Sequence, residues 1–232
     1  MKYLAIDLEM TGLNVKKDRI LEIGAICMED GAPRDTFSAM INPHCSVPAQ
    51  ITDLTGITQQ MADEGEELSD VLPRFLAFCG SLPLLGHNLM FDYSFLRQAC
   101  VNADLTFEKY GIDTLRLARR FLPAAQGKKL TVLREFYQLD TGSVHRAVSD
   151  ALAAALVYER LSGDYGKSDP AAFSPVPLLV NIKKQQPITI PQKEQLTRLL
   201  SAASTIIDEP IDISHLTRSE ASRLIERLLH TN

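Results

Sequence analysis

Hydrophobic and polar positions alternate along this chain in two registers. Residues 2–8, 20–28 and 35–42 are apolar, β-favouring runs punctuated by Gly12, Asn14 and the turn EDGAPR, which predicts a strand meander. Pro48 opens a short helical piece. Leu68, Val71, Leu72, Phe75, Leu76 and Cys79 then recur at the 3–4 spacing of an amphipathic helix over 68–79. LPLLGHN predicts a brief strand ending at Gly86, followed by a helix over 91–101 and a short strand over Tyr110–Asp113. Further helices are predicted at 114–121, 129–138 and 147–161. Strands first, then strands alternating with helices, make an α/β domain with a mixed sheet.

That domain is expected to close at 162. Residues 163–187 carry Gly163, Gly166, Pro170, Pro175, Pro177 and Pro187, a composition suited to a linker. Over 188–232 a small helical module follows. Leu196, Leu199, Leu200 and Ala203 mark one helix; Thr217 and Glu220 form a capping box for another, which buries Ala221, Leu224, Ile225 and Leu228.

The first strand is interrupted by acid. Asp7 and Glu9, two apart, project to the same side about 7 Å apart at the backbone. Burying two unpaired carboxylates so close is unfavourable by several kcal/mol, on the order of a buried unpaired charge. Lys or Arg partners, shared protons or divalent metal would each neutralise them, and a solvated strand end would avoid the problem. No basic residue lies between Lys2 and Lys16. In LLGHNLMFDYSFL, Asp92 falls in the first turn of a helix that leaves a strand end, where it also suits the helix dipole. In SVHRAVSDALAAALVYERL, His145 precedes a helix and Asp150 lies in its opening turns, either as a flanking hydrogen bonder and a dipole-satisfying acid or as functional groups. Ala151, Ala154 and Ala155 give that helix a thin face for close packing. Acids at one strand end and two helix starts together form a constellation.

IDLEMTGL, GHNLMFDYSFL and HRAVSDA resemble the three motifs of the DEDDh family of 3′–5′ exonucleases, in order and over residues 1–161. INPHCSVPAQITDLTGIT and YGIDTLRLARRFLP are similar to segments of the proofreading exonucleases of bacterial DNA polymerase III, both the epsilon subunit and the polymerase-embedded form. LEMTGL also resembles oligoribonuclease, which the later segments fit less well. The resemblance implies a ribonuclease-H-like five-stranded mixed sheet flanked by helices. It also implies that Asp7, Glu9, Asp92 and Asp150 hold two Mg²⁺ or Mn²⁺ ions and that His145 is the general base. Met10, Thr11, Gly12, Leu13, Asn88, Phe91 and His145 would meet the substrate, with Leu13 either an apolar wedge or tucked into the core behind a tight turn, and Phe95 in the core. His87 and Asp113 are expected to be structural.

The implied activity is two-metal hydrolysis of the 3′ end of single-stranded or frayed DNA, in repair, trimming or proofreading. The alternatives are a 3′–5′ exoribonuclease and a polymerase-associated scaffold. A DNA polymerase and a second copy of the chain are candidate partners. LTRSEASRLIERLL looks like short helical modules at the C-termini of phage and bacterial nucleic-acid proteins.

Composition adds limits. With 232 residues, 45% of them hydrophobic, the chain can bury one full core. A net charge of −5 excludes a strongly basic nucleic-acid coat but not a local basic groove. Arg116, Arg119, Arg120, Lys128, Lys129 and Arg134 face only Asp113 and Glu135 over 113–135, which is either a phosphate-contacting rim or an ordinary solvated helix face. Cys27, Cys45, Cys79 and Cys100 lack C-x-x-C spacing and read as reduced packing residues. With no leader and no membrane-length apolar run, a cytoplasmic protein without membrane attachment is expected.

Overall fold

Three antiparallel strands, β1 (Lys2–Met10), β2 (Ile20–Glu29) and β3 (Ala32–Met40), form the predicted meander. The computed structural model describes residues 1–142, 145–202 and 212–230. β4 (Leu84–Gly86) adds to β1 in parallel and β5 (Tyr110–Asp113) adds to β4 in parallel. A sixth strand, β6 (Val176–Pro177), pairs antiparallel with β5, so the order is β3-β2-β1-β4-β5-β6. The sheet thus has six strands rather than five. The extra one comes from the stretch expected to be a linker. Proline is tolerated there because β6 is an edge.

Helices α1 (Ala49–Thr55), α2 (Gln59–Asp63), α3 (Leu68–Cys79), α4 (Leu89–Asn102), α5 (Thr114–Phe121), α6 (Leu130–Phe136) and α7 (Ala147–Tyr165) complete the domain. The parity of β1 assigns them to faces. Leu4, Ile6, Leu8 and Met10 pack with Phe75 of α3 and Leu89, Tyr93 and Leu96 of α4. Tyr3 and Ala5 point the other way, against Leu117 of α5, Leu133 of α6 and Ala151, Ala154 and Ala155 of α7. Asp7 and Glu9 share the parity of Tyr3 and Ala5 and so lie on the α7 side, at the strand's C-terminal end.

The Pro- and Gly-rich stretch is anchored rather than free. Phe173 stacks on Phe121 with ring centroids 5.3 Å apart, and the Leu178 backbone N–H donates to the Lys109 carbonyl at 2.9 Å. Beyond it, α8 (Ile190–Ala202) and α9 (Arg218–His230) pack through Leu196, Ala221, Leu224 and Leu228. The capping box forms: the Thr217 N–H donates to Glu220 Oε2 at 2.7 Å, and the Glu220 N–H donates to Thr217 Oγ1 at 3.3 Å. Ala203 and the first part of the connection between these helices lie outside the described residues. Among those described, no helix is long and apolar enough to cross a membrane, and the cysteines form no disulfide.

Gly24 of β2 governs how closely α7 can sit. It is the register partner of Asp7, and a Cβ there would lie 2.3 Å from the Ala147 carbonyl carbon. Gly24→Ala should therefore displace the start of α7 and cost about 1–3 kcal/mol, as overpacking of a tight contact does. A urea midpoint equal to wild type would show that the helix is not seated this closely.

Candidate active site

The end of β1 is crowded from both faces of the sheet. Asp7 and Glu9 approach from the α7 side, and Asp92 lies buried in the first turn of α4, the helix on the opposite face. Its Oδ1 accepts the Leu8 N–H at 3.2 Å, which ties α4 to the residue between the two strand acids. From α7, Asp150 Oδ2 accepts the His145 N–H at 3.1 Å. His145 sits at φ 58°, a left-handed conformation uncommon outside glycine, and ligand atoms of Glu9, His145 and Asp150 all fall within 4.8 Å of one another.

Two arginines and a further acid hold this arrangement, and sequence reasoning missed their roles. Glu22 lies opposite Glu9 in the β1–β2 register and is buried. It accepts two bonds from Arg146, at 3.1 and 2.9 Å, and one from the Ala147 N–H at 3.2 Å. The same clamp fixes the start of α7. Arg134 is buried too, donating to Asp150 Oδ1 at 2.9 Å and to the Gly142 carbonyl at 2.7 Å. A lone glutamate in the apolar run ILEIGAICM was the available signal for Glu22.

The predicted basic rim disperses accordingly. Arg134 faces inward, Arg120 pairs with Asp169, and Lys128 Nζ donates to the Pro123 carbonyl at 2.7 Å. Charge counted along the sequence did not distinguish the faces of two short helices. Arg116, Arg119 and Arg120 together line a cavity of about 590 Å³ that also holds Asp113 and Asp169.

The substrate-contact candidates divide. Met10 packs its side chain into the core. Thr11 is buried, with Oγ1 accepting the Arg19 N–H at 2.9 Å, and Gly12 lies against the Asp18 carboxylate. Leu13 is 81% exposed, an apolar side chain standing free next to the acids in sequence. Asn88 is exposed at φ 67°, and its N–H donates to Asp113 Oδ1 at 3.0 Å. Phe91, half-buried, meets buried Phe95 edge-to-face at 5.4 Å. His87 is engaged at both ring nitrogens, with Thr114 Oγ1 at 2.9 Å and the Lys128 carbonyl at 2.8 Å.

The acids do not tolerate one another without help. Desolvation, then the charges of Asp92, Glu9, Asp150 and Glu22, push Asp7 well above the usual carboxylate range. Desolvation, then Asp150 and Glu22, carry Glu9 to about 7. Asp92 rises to about 8, mainly through desolvation, against the lowering effect of its backbone donors. Asp150 is also raised by desolvation, although the His145 N–H and Arg134 oppose it. Among the described residues neither Asp7 nor Glu9 accepts a hydrogen bond, so their oxygens are uncommitted. A set of oxygen donors whose ionisation needs a compensating positive charge and whose lone pairs are free fits hard divalent cations.

The model of the RNase T-type exonuclease family matches residues 4–158. The chain belongs to this exonuclease family. The family uses divalent metal ions. The chain is 36% identical over 154 residues to a PolC-type DNA polymerase III of Clostridium perfringens, which covers 66% of the chain but 11% of that protein. It is 32% identical over 172 residues to the DNA polymerase III epsilon subunit of Aquifex aeolicus, covering 72% of the chain and 85% of the relative. Exonuclease X, solved in complex with 5′-overhanging duplex DNA, has the same fold: TM-score 0.59 at 24% identity, over 71% of this chain and 93% of that one.

The raised acids make the stability of this chain depend on pH with a definite sign. Without metal, Glu9 and Asp92 keep protons up to about 7 and 8, whereas an unfolded chain releases them near about pH 4. The folded state binds more protons across that window, so stability falls as pH rises. In chelator the melting temperature should drop between about pH 5 and 8, with Asp92→Asn reducing the drop and saturating Mn²⁺ abolishing most of it. A metal-free melting curve indifferent to pH and to Asp92→Asn would remove the electrostatic account.

Proposed function

We propose that this chain is a metal-dependent 3′–5′ exonuclease that releases nucleoside monophosphates from single-stranded or frayed DNA ends. The observation that carries the reading is the meeting of Asp7, Glu9, Asp92, Asp150 and His145 at one end of β1. In this proposal the four carboxylates hold two Mg²⁺ or Mn²⁺ ions. Bound there, the ions would supply Lewis-acid polarisation of the scissile phosphate and charge stabilisation for the departing oxygen.

The chain's own groups would do the rest. His145 accepts the proton as water attacks phosphorus, the step for which histidine suits neutral pH. The bond from phosphorus to the 3′-oxygen of the preceding nucleotide breaks, and that oxygen takes a proton from solvent, leaving a new 3′-hydroxyl and a 5′-monophosphate. Asp150 would fix His145 through its backbone N–H, and Arg134 would fix Asp150. Leu13 would lie against the terminal base, with Asn88 and Phe91 lining the approach. A terminal nucleotide must be splayed to reach such a site, which favours single strands. The resemblance to polymerase-linked exonucleases favours DNA over RNA and makes a DNA polymerase a candidate partner.

The test uses 5′-labelled single-stranded DNA, duplex DNA and RNA with Mg²⁺ or Mn²⁺, beside a chelated control. A ladder shortening from the 3′ end of DNA is expected. Asp7→Asn and Asp150→Asn should lose at least ~100-fold in turnover, as when a preorganised charge-stabilising group is removed. His145→Ala should lose about 10²–10⁴-fold, the range of general-base contributions. Wild-type rates in these variants would refute the assignment.

A further inference from the structure

A second cluster of metal-ligating side chains lies away from the four acids, where the helical module meets the domain. His44 follows β3, Glu67 precedes α3, and Asp212 and His215 belong to the turn before α9. His44 Nε2 is 2.9 Å from Glu67 Oε2. Asp212 Oδ2 lies 2.8 Å from His215 Nδ1 and 3.4 Å from His44 Nδ1. The two imidazoles stack with centroids 3.6 Å apart and planes 5° from parallel, and ligand atoms of His44, Glu67 and His215 all fall within 4.8 Å of one another. His44 is held in this place at φ 53°, with its N–H donating to Asn42 Oδ1 at 2.9 Å.

Four groups from three separated segments converge here, and their chemistry differs from that of the acidic site. Two imidazoles and one carboxylate are a borderline-soft donor set, which suits Zn²⁺ rather than Mg²⁺. A carboxylate on the Nδ1 side of histidines is the usual device for fixing the tautomer of ligating imidazoles, leaving Nε2 to the metal. We propose that His44, His215 and Glu67 form a Zn²⁺ site, oriented by Asp212, that pins the C-terminal helical module to the exonuclease domain. An imidazole lone pair lies in the ring plane, so binding turns the two rings out of their parallel stack toward a shared ion. The partly exposed position leaves the ion a path from solvent and the fourth coordination position to water. The Arg19–Glu220 pair, in which Arg19 Nη2 donates to both carboxylate oxygens at 2.7 and 2.9 Å, ties the same module to the loop after β1. Metal at the histidines would add a second attachment point to that joint.

The proposal is independent of the nuclease reading, because its readout is metal binding. Titrate the full-length chain with Co²⁺, then Zn²⁺, in excess Mg²⁺ so that the acidic site is filled by the harder ion. One equivalent of Co²⁺ with the intense visible bands of a four-coordinate nitrogen–oxygen site is expected, displaced by Zn²⁺, with a higher melting temperature in Zn²⁺. His44→Ala and His215→Ala should abolish the bands, and Asp212→Asn should weaken binding about 10–100-fold, as loss of an orienting carboxylate does. Should His44→Ala not fold, His215→Ala, at a more exposed position, decides. Absence of the bands in wild type overturns the proposal, as does their persistence in His215→Ala. Stabilisation by protons alone, with melting that depends on pH but not on Zn²⁺, also overturns it and makes the stacked histidines a proton-linked latch.

Discussion

Like charge held together out of water is the constraint on which this molecule is organised. Asp7, Glu9, Asp92 and Asp150 converge where the sheet ends. Among the described residues, Asp150 is the one of the four with an arginine bonded directly to it. Desolvation raises all of them, and mutual repulsion adds to it at Asp7, Glu9 and Asp92. A fold selected only for stability would replace such a group with apolar side chains or pair each acid with a base. Retaining it makes sense where an external cation completes the charge balance and the resulting field acts on a phosphate.

Much of the surrounding structure serves to hold those oxygens in place. Gly24 lets α7 approach the sheet until Ala147 touches it, and three alanines farther along that helix keep the separation small. Glu22 accepts bonds from Arg146 and from the first helical N–H, so the helix start is fixed electrostatically as well as sterically. On the opposite face, Gly86 and the left-handed Asn88 turn the chain sharply into α4, which brings Asp92 within reach of the Leu8 N–H. Rigid elements thus position the acids from two faces of one sheet, the usual way to keep a charged site preorganised.

The sequence made the local elements and the acids legible because both depend on short-range pattern. β5 and α5 fall at the expected residues, since Asp113 ends the strand and caps the helix by accepting the Leu115 N–H at 2.9 Å. His87 is doubly bonded, as the structural reading of it expected, and Leu13 stands exposed rather than tucked into the core. Long-range pairings were not legible. β6 is two residues, one of them proline, and exists only because β5 offers an edge. α2, with sequence QQMAD, has no apolar periodicity to announce it. Arg134 looked like one more surface cation until α6 placed it beside Asp150, and the pairing of Glu22 with Arg146 spans 124 positions.

Anomalous diffraction from crystals soaked in Mn²⁺ with a nucleoside monophosphate tests the central claim most directly. The account predicts two manganese peaks among Asp7, Glu9, Asp92 and Asp150, with the phosphate of the nucleotide beside them and His145 facing it. Density for nucleotide with no manganese at those carboxylates would contradict it.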